Sequence, residues 1–118
     1  MSEIANSEAL DFSIEDWKKV TDFFKNRFDK IPDLTNMLFI IGHREIGQNL
    51  VKLSKEQKQD VIHVGVCALL SLADYYTFKG IDEDGWPHYE YNRNKEKLTH
   101  EQQEMLLKKM IIQYIKKL

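Results

Sequence analysis

The segment Ser54–Tyr76, SKEQKQDVIHVGVCALLSLADYY, decides the fold class. Ser54 and Gln57 have the spacing of a capping box, in which the serine hydroxyl accepts from the amide three residues on and the glutamine side chain returns to the serine amide. A helix is therefore expected from about Lys55 to Tyr76. Beyond Asp60, the residues Val61, Ile62, Val64, Val66, Leu69, Leu70, Leu72 and Ala73 cover its whole circumference, the pattern of a helix surrounded by others. The valines and Ile62 also favour strands, but the cap and the uninterrupted length outweigh that weak preference. The apolar run Val61 to Ala73 spans about 13 residues with His63 and Ser71 inside it, short of the roughly 20 that a membrane span needs.

Upstream, two more helices precede this one. Ser13 with Asp16 gives a start signal, and Trp17, Val20, Phe23, Phe24, Phe28 and Ile31 then recur at steps of three and four until Pro32 ends the helix. Asp33 caps a second helix expected to run to about Leu50, carrying Met37 to Ile41, Ile46 and Leu50, with Gly42 and Gly47 permitting close approach of a neighbour. Downstream, Thr77 to Leu98 breaks the helical pattern. Gly80, Asp84-Gly85 and Pro87 are turn signals between Phe78, Trp86, Tyr89 and Tyr91. Two short strands, Thr77 to Ile81 and His88 to Tyr91, or a long loop fit this stretch, with Pro87 confining the second strand to an edge or to a shorter length. Thr99 and Gln102 then cap a last helix whose face is Met105, Leu106, Met110, Ile111, Tyr114, Ile115 and Leu118.

The predicted fold is all-α: a bundle of four principal helices, the third innermost, with an aromatic and acidic loop or short β-hairpin between helices 3 and 4. Residues 1–118 read as a single domain, with 1–12 a flexible acidic segment. The composition, 42% hydrophobic and 31% charged, is that of a chain that folds. One cysteine, Cys67, forms no internal disulfide and suits a reducing, cytoplasmic setting, as does an acidic amino terminus unlike any leader. Net charge is −2, yet residues 1–16 carry five acids and no base, whereas residues 91–118 carry seven Lys or Arg against three Glu. These are expected to be solvated faces.

The segment 81–91, Ile-Asp-Glu-Asp-Gly-Trp-Pro-His-Tyr-Glu-Tyr, is the most distinctive. Asp82, Asp84, Trp86, His88 and Tyr89 would set an aromatic anchor beside a negative rim, suited to a basic partner. The competing reading is that Trp86 and the tyrosines fold back over core that short helices leave open. An EF-hand is excluded, because Gly85 is the fourth residue counted from Asp82 where the sixth must be glycine, and Arg93 stands at the twelfth place, which needs Glu. On the third helix, Asp60, His63 and Cys67 share a stripe, and Asp60 and His63 with His43 and Glu45 of the second helix form an alternative site for a small-molecule or metal-binding enzyme. A histidine satisfied by one core hydrogen bond is the plainer reading of His63. Cys67 lies among apolar neighbours and is expected to be an inert thiol. There is no phosphate loop, no serine elbow and no zinc spacing, so no metal or cofactor is expected. Lys108, Lys109, Lys116 and Lys117 lack the spacing of a nucleic-acid reader, and nucleic acid is not an expected partner. A homodimer stays open, since Met and aromatic residues would leave an apolar patch.

The strings Lys55-Glu-Gln-Lys-Gln-Asp60 and Asp82-Glu-Asp-Gly-Trp-Pro-His88 resemble segments of a group of short helical proteins from Bacteroidetes-type bacteria, over most of the chain from about Asp16. The resemblance implies a bacterial, cytosolic, helical protein and carries no site or activity. The function expected from the residues is a non-enzymatic, cytosolic protein-interaction module that uses the loop 81–91, with the enzyme between helices 2 and 3 as the alternative.

Overall fold

The computed structural model describes residues 12–118; the expected acidic segment 1–12 lies, but for Phe12, outside them. Four helices and one hairpin follow in the order α1 (Ile14–Phe28), α2 (Leu34–Ile46), α3 (Lys55–Ser71), β1 (Tyr76–Ile81), β2 (Pro87–Tyr91) and α4 (His100–Lys116). The chain is mostly helical, and the hairpin falls between the third and fourth helices as expected.

Each of the four described helices starts where a side-chain oxygen meets an amide that the first turn leaves unpaired. Ser13 Oγ accepts from the Asp16 amide at 3.0 Å and Asp33 Oδ1 from that of Asn36 at 2.9 Å. Ser54 with Gln57 and Thr99 with Gln102 form reciprocal capping boxes, all four bonds between 2.8 and 3.1 Å.

The helix ends differ from those predicted, and backbone geometry gives the reason. α1 stops at Phe28 rather than Ile31, because Asp29 turns left-handed (φ 63) and its amide closes onto the Lys25 carbonyl. Ile31 is exposed. α2 stops at Ile46, four residues short of Leu50, at Gly47 (φ 73). Gly47 thus terminates the helix and does not serve helix packing, a role that falls to Gly42. α3 stops at Ser71 in a Schellman turn: Asp74 is left-handed (φ 65), its amide reaches the Ser71 carbonyl, and the Tyr75 amide reaches Leu70 at 3.0 Å. Tyr76 then opens β1.

The described residues form two compact units, one from the two ends of the described chain (to Pro32 and from Glu96) and one from Asp33–Lys95. In the first, α1 packs on α4. Val20 and Phe24 of α1 are buried, as are Leu106, Leu107, Met110, Ile111 and Ile112 of α4. The inward face of α4 therefore includes Leu107 and Ile112, which the predicted stripe omits, and leaves out Leu118, which is half exposed. The Arg27 guanidinium lies 3.7 Å from the Phe23 ring.

In the second unit α2 and α3 cross at two glycines. A methyl group on Gly42 would enter the Val61 carbonyl, and one on Gly65 would enter the Leu38 carbonyl. The backbones therefore touch, and Met37, Leu38, Ile41, Val61, Cys67, Ala68, Leu69 and Leu70 are buried. Near one end, Ile46, Val61 and Val64 form a cluster against which Phe39, Leu50, Leu53 and Trp86 pack. Each such aliphatic side chain contributes about 1.5–3 kcal/mol by leaving water.

The hairpin pairs Tyr76 with Tyr91, Thr77 with Glu90 and Phe78 with Tyr89, then slips at a bulge and resumes with Gly80 opposite His88 and Ile81 opposite Pro87. Two edge-on aromatic pairs, Tyr76–Tyr91 at 5.5 Å and Phe78–Tyr89 at 5.6 Å, brace one face. Asn92 ties its base to the end of α3: Nδ2 donates to the Asp74 carbonyl at 2.6 Å, the amide donates to Tyr75 at 2.9 Å, and Oδ1 accepts from Thr77 at 2.7 Å. Among the described residues, no helix is long and apolar enough to cross a membrane.

Candidate functional site

A cleft of about 580 Å3 opens between α3 and the hairpin, within the Asp33–Lys95 unit. One wall is a helical stripe. Gln57, Asp60, His63, Val64 and Cys67 recur at steps of three and four, so a straight helix presents them one above another. The other wall is the turn of the hairpin with the first residues of β2: Asp82, Asp84, Trp86, Pro87, His88 and Tyr89.

Asp82 shapes that turn. Its Oδ1 accepts from the amides of Asp84 (2.9 Å) and Trp86 (3.0 Å), while Oδ2 lies 2.7 Å from His88 Nε2. The backbone closes around it, with the Asp82 amide donating to Trp86 and the Gly85 amide donating back to Asp82. Gly85 is left-handed (φ 87), the conformation that lets a tight hairpin follow the strand twist. A side chain there would also strike the Gln48 amide, whose nitrogen donates to the Asp84 carbonyl at 2.5 Å. The loop is thereby pinned to the segment that follows α2.

Trp86 is half-buried against Ile46, Val61 and Val64, and Pro87 is buried. The indole thus covers the apolar cluster, as the fold-back reading expects, and at the same time lines the cleft. Tyr89 is half-buried beside it, whereas Asp60, His63, Asp82, Asp84 and His88 are exposed.

The electrostatics are one-sided. Asp60, Asp82 and Asp84 line the cleft, and no Lys or Arg does so among the described residues. The hydrogen bond from His88, followed by the amide of Trp86, holds the Asp82 carboxyl below its usual range. Burial pushes the Cys67 thiol up to about 11, against a smaller opposing hydrogen bond with Tyr76. Its sulfur lies 3.4 Å from His63 Nε2, yet a thiol so raised stays protonated near neutrality and is a poor nucleophile. The Tyr89 phenol is raised first by burial and then by the nearby charge of Glu45.

The two groups of residues singled out in the sequence therefore meet in part. All five loop residues line the cleft, and Asp60 and His63 face them from α3. His43 and Glu45 do not line it. His43 is half-buried on α2 with its ring 6.2 Å from that of Phe39, and Glu45 has Arg44 3.7 Å away. Among the described residues, no group of three or more His, Cys, Asp or Glu side chains is placed to hold a metal ion. Gln57 and Val64 also belong to the cleft, although in sequence they read only as a cap and a core residue. Their signal is the spacing with Asp60 and His63 on one stripe. No family model, curated protein or solved structure matches the chain.

Proposed function

We propose that the chain is a non-enzymatic recognition module whose cleft between α3 and the hairpin takes a basic segment of a partner protein. The observation that carries this is the composition of the cleft: a carboxylate on the α3 wall and two on the hairpin wall, no Lys or Arg among the described residues that line it, and Trp86 and Tyr89 on the hairpin wall beside the acids. Fixed acids attract and orient an arginine or lysine head, and aromatic surface accepts its alkyl stem or the planar guanidinium. The turn is held by its own hydrogen bonds before any partner arrives, which lowers the cost of ordering it on binding. Recognition is favoured over turnover because the thiol on the stripe is protonated and buried.

A capped tetra-arginine peptide titrated into a Trp17→Phe background, with Trp86 as the fluorophore, tests this. Saturable binding is expected in the range of about 10–500 μM at about 50 mM salt, weakened at least about tenfold in an Asp60→Asn, Asp84→Asn double variant. A double variant that folds and binds as well as its parent refutes the reading, as does no saturable signal.

A further inference from the structure

We propose that the cleft reads arginine in preference to lysine. The inference rests on the proposed recognition of a basic segment and names the side chain that this same cleft selects.

The acids of the lining divide into one that builds the turn and two that are open to a ligand. Asp82 spends both carboxylate oxygens inside the turn, Oδ1 on the amides of Asp84 and Trp86 and Oδ2 on His88. The carboxylates of Asp60 and Asp84, both exposed, have no hydrogen-bond or ion-pair partner among the described residues. Their backbones are nevertheless fixed. Asp60 stands within α3, and the turn holds Asp84 by its amide on Asp82 and by its carbonyl, which accepts from Gln48. The cleft therefore offers one open acid from each wall. A guanidinium carries its N–H donors in a rigid plane with more than one edge, so a single head can bond carboxylates on separate sides. An ammonium is a compact point charge with no such fork.

The aromatic lining makes the same selection. The Trp86 indole packs on Ile46, Val61 and Val64 with its amide tied to Asp82, and the Tyr89 ring stands edge-on to Phe78 at 5.6 Å. Both rings are thus set before a ligand arrives, and no Lys or Arg among the described residues lines the cleft to cover them. A planar, weakly hydrated guanidinium lies against an aromatic ring at little cost in hydration, whereas an ammonium gives up a tightly bound shell. The chain's own cation–ring pairs differ in that sense. The Arg27 guanidinium carbon is 3.7 Å from the Phe23 ring centre, while the ammonium nitrogens of Lys95 and Lys108 stay 5.1 and 5.8 Å from those of Tyr75 and Trp17. Val64 and Pro87 add apolar lining for an aliphatic stem, which both side chains possess, so the choice falls on the head group.

Capped tetra-arginine and tetra-lysine peptides carry the same net charge near neutral pH, so the ratio of their affinities separates head-group geometry from charge. Titration calorimetry on the wild-type chain at about 50 mM salt is expected to show the arginine peptide bound about tenfold more tightly, a difference within the range of a cation–ring contact. Trp86→Leu and Tyr89→Leu keep apolar bulk while removing a flat ring, and circular dichroism confirms that each folds. In at least one of them the arginine peptide should lose more than the lysine peptide, and the ratio should fall below about threefold. A wild-type ratio below about threefold overturns the selection of arginine and leaves the recognition module standing, and this comparison needs no variant. A ratio that stays at or above about threefold in every folded variant overturns it equally, because the rings then play no part. Absence of saturable binding by either peptide removes both readings together.

Discussion

Replacing Gly65 by Ala puts a methyl group where the Leu38 carbonyl of α2 already sits. Two effects of opposite sign follow. Helix propensity favours Ala by about 1 kcal/mol at a helix-interior site. Against it, the obstructing atom is backbone and cannot rotate away, so α2 and α3 must separate. Overpacking of this kind costs about 1–3 kcal/mol. Separation also opens a gap along Leu38, Ile41, Val61 and Val64, and a gap of about 0.5–1 Å forfeits a quarter to a half of each dispersion contact. The net expectation is a loss of about 2–3 kcal/mol, equivalent to a fall in Tm of about 6–12 °C for a chain of this length. Urea titration in a Trp17→Phe background, read at Trp86, reports on the Asp33–Lys95 unit, because Trp86 packs on the Ile46, Val61 and Val64 cluster. Gly42→Ala, which meets the Val61 carbonyl, should act in the same direction. The double variant should lose less than the two single losses combined, since helices already apart leave the second methyl less to displace. A Gly65→Ala protein as stable as its parent, or about 1 kcal/mol more stable, would refute the close crossing, because propensity alone predicts that result.

Two further outcomes follow from the titrating groups. Cys67 should resist alkylation by iodoacetamide at pH 8, and its contribution to stability, complete below the usual thiol value of 9.0, should be lost as pH climbs through about 11; rapid alkylation of the native protein at pH 8 contradicts this. Asp82 behaves in the opposite sense. Its carboxyl is held below the ordinary 3.8, so the order it gives the turn is present above that pH and lost as pH falls through its lowered folded value. Amide-exchange protection of Trp86 should vanish in that acid range, and in Asp82→Ala at any pH, while Leu69 in the core of α3 stays protected. Protection of Trp86 that outlasts either change removes Asp82 as the organiser of the turn.

Local capping chemistry makes the helix starts legible, because it depends on residues three apart: Ser13, Asp33, Ser54 and Thr99 all stand where a cap is expected. The helix ends are less legible. Asp29 and Asp74 end helices in a left-handed conformation that glycine adopts at lower cost, so neither looks like a stop signal. Gly42 and Gly47 look alike in sequence, yet one faces a backbone and the other reverses the chain, a difference that only the position of α3 decides. Asp84-Gly85 announces the hairpin, whereas Gly80, which reads as a turn signal, stands within β1 at positive φ (129) beside the bulge, a role that only the register with β2 distinguishes. For the site, both sets of chemically active residues are visible separately. Their meeting is not, because the distance between an α3 stripe and a turn some twenty residues later depends on the Schellman turn at Asp74 and the clamp at Asn92.

The order of the chain through its two compact units bears on how the protein is made. The Asp33–Lys95 unit is one uninterrupted stretch, whereas α1 meets its packing partner only in α4, after all of that stretch has been synthesised. A nascent chain leaving the ribosome can therefore complete the inserted unit while Val20 and Phe24 still lack their cover. The cost of closing the long loop grows only slowly with its length, yet closure must wait for α4, so Val20 and Phe24 gain their cover only after the intervening unit has been made.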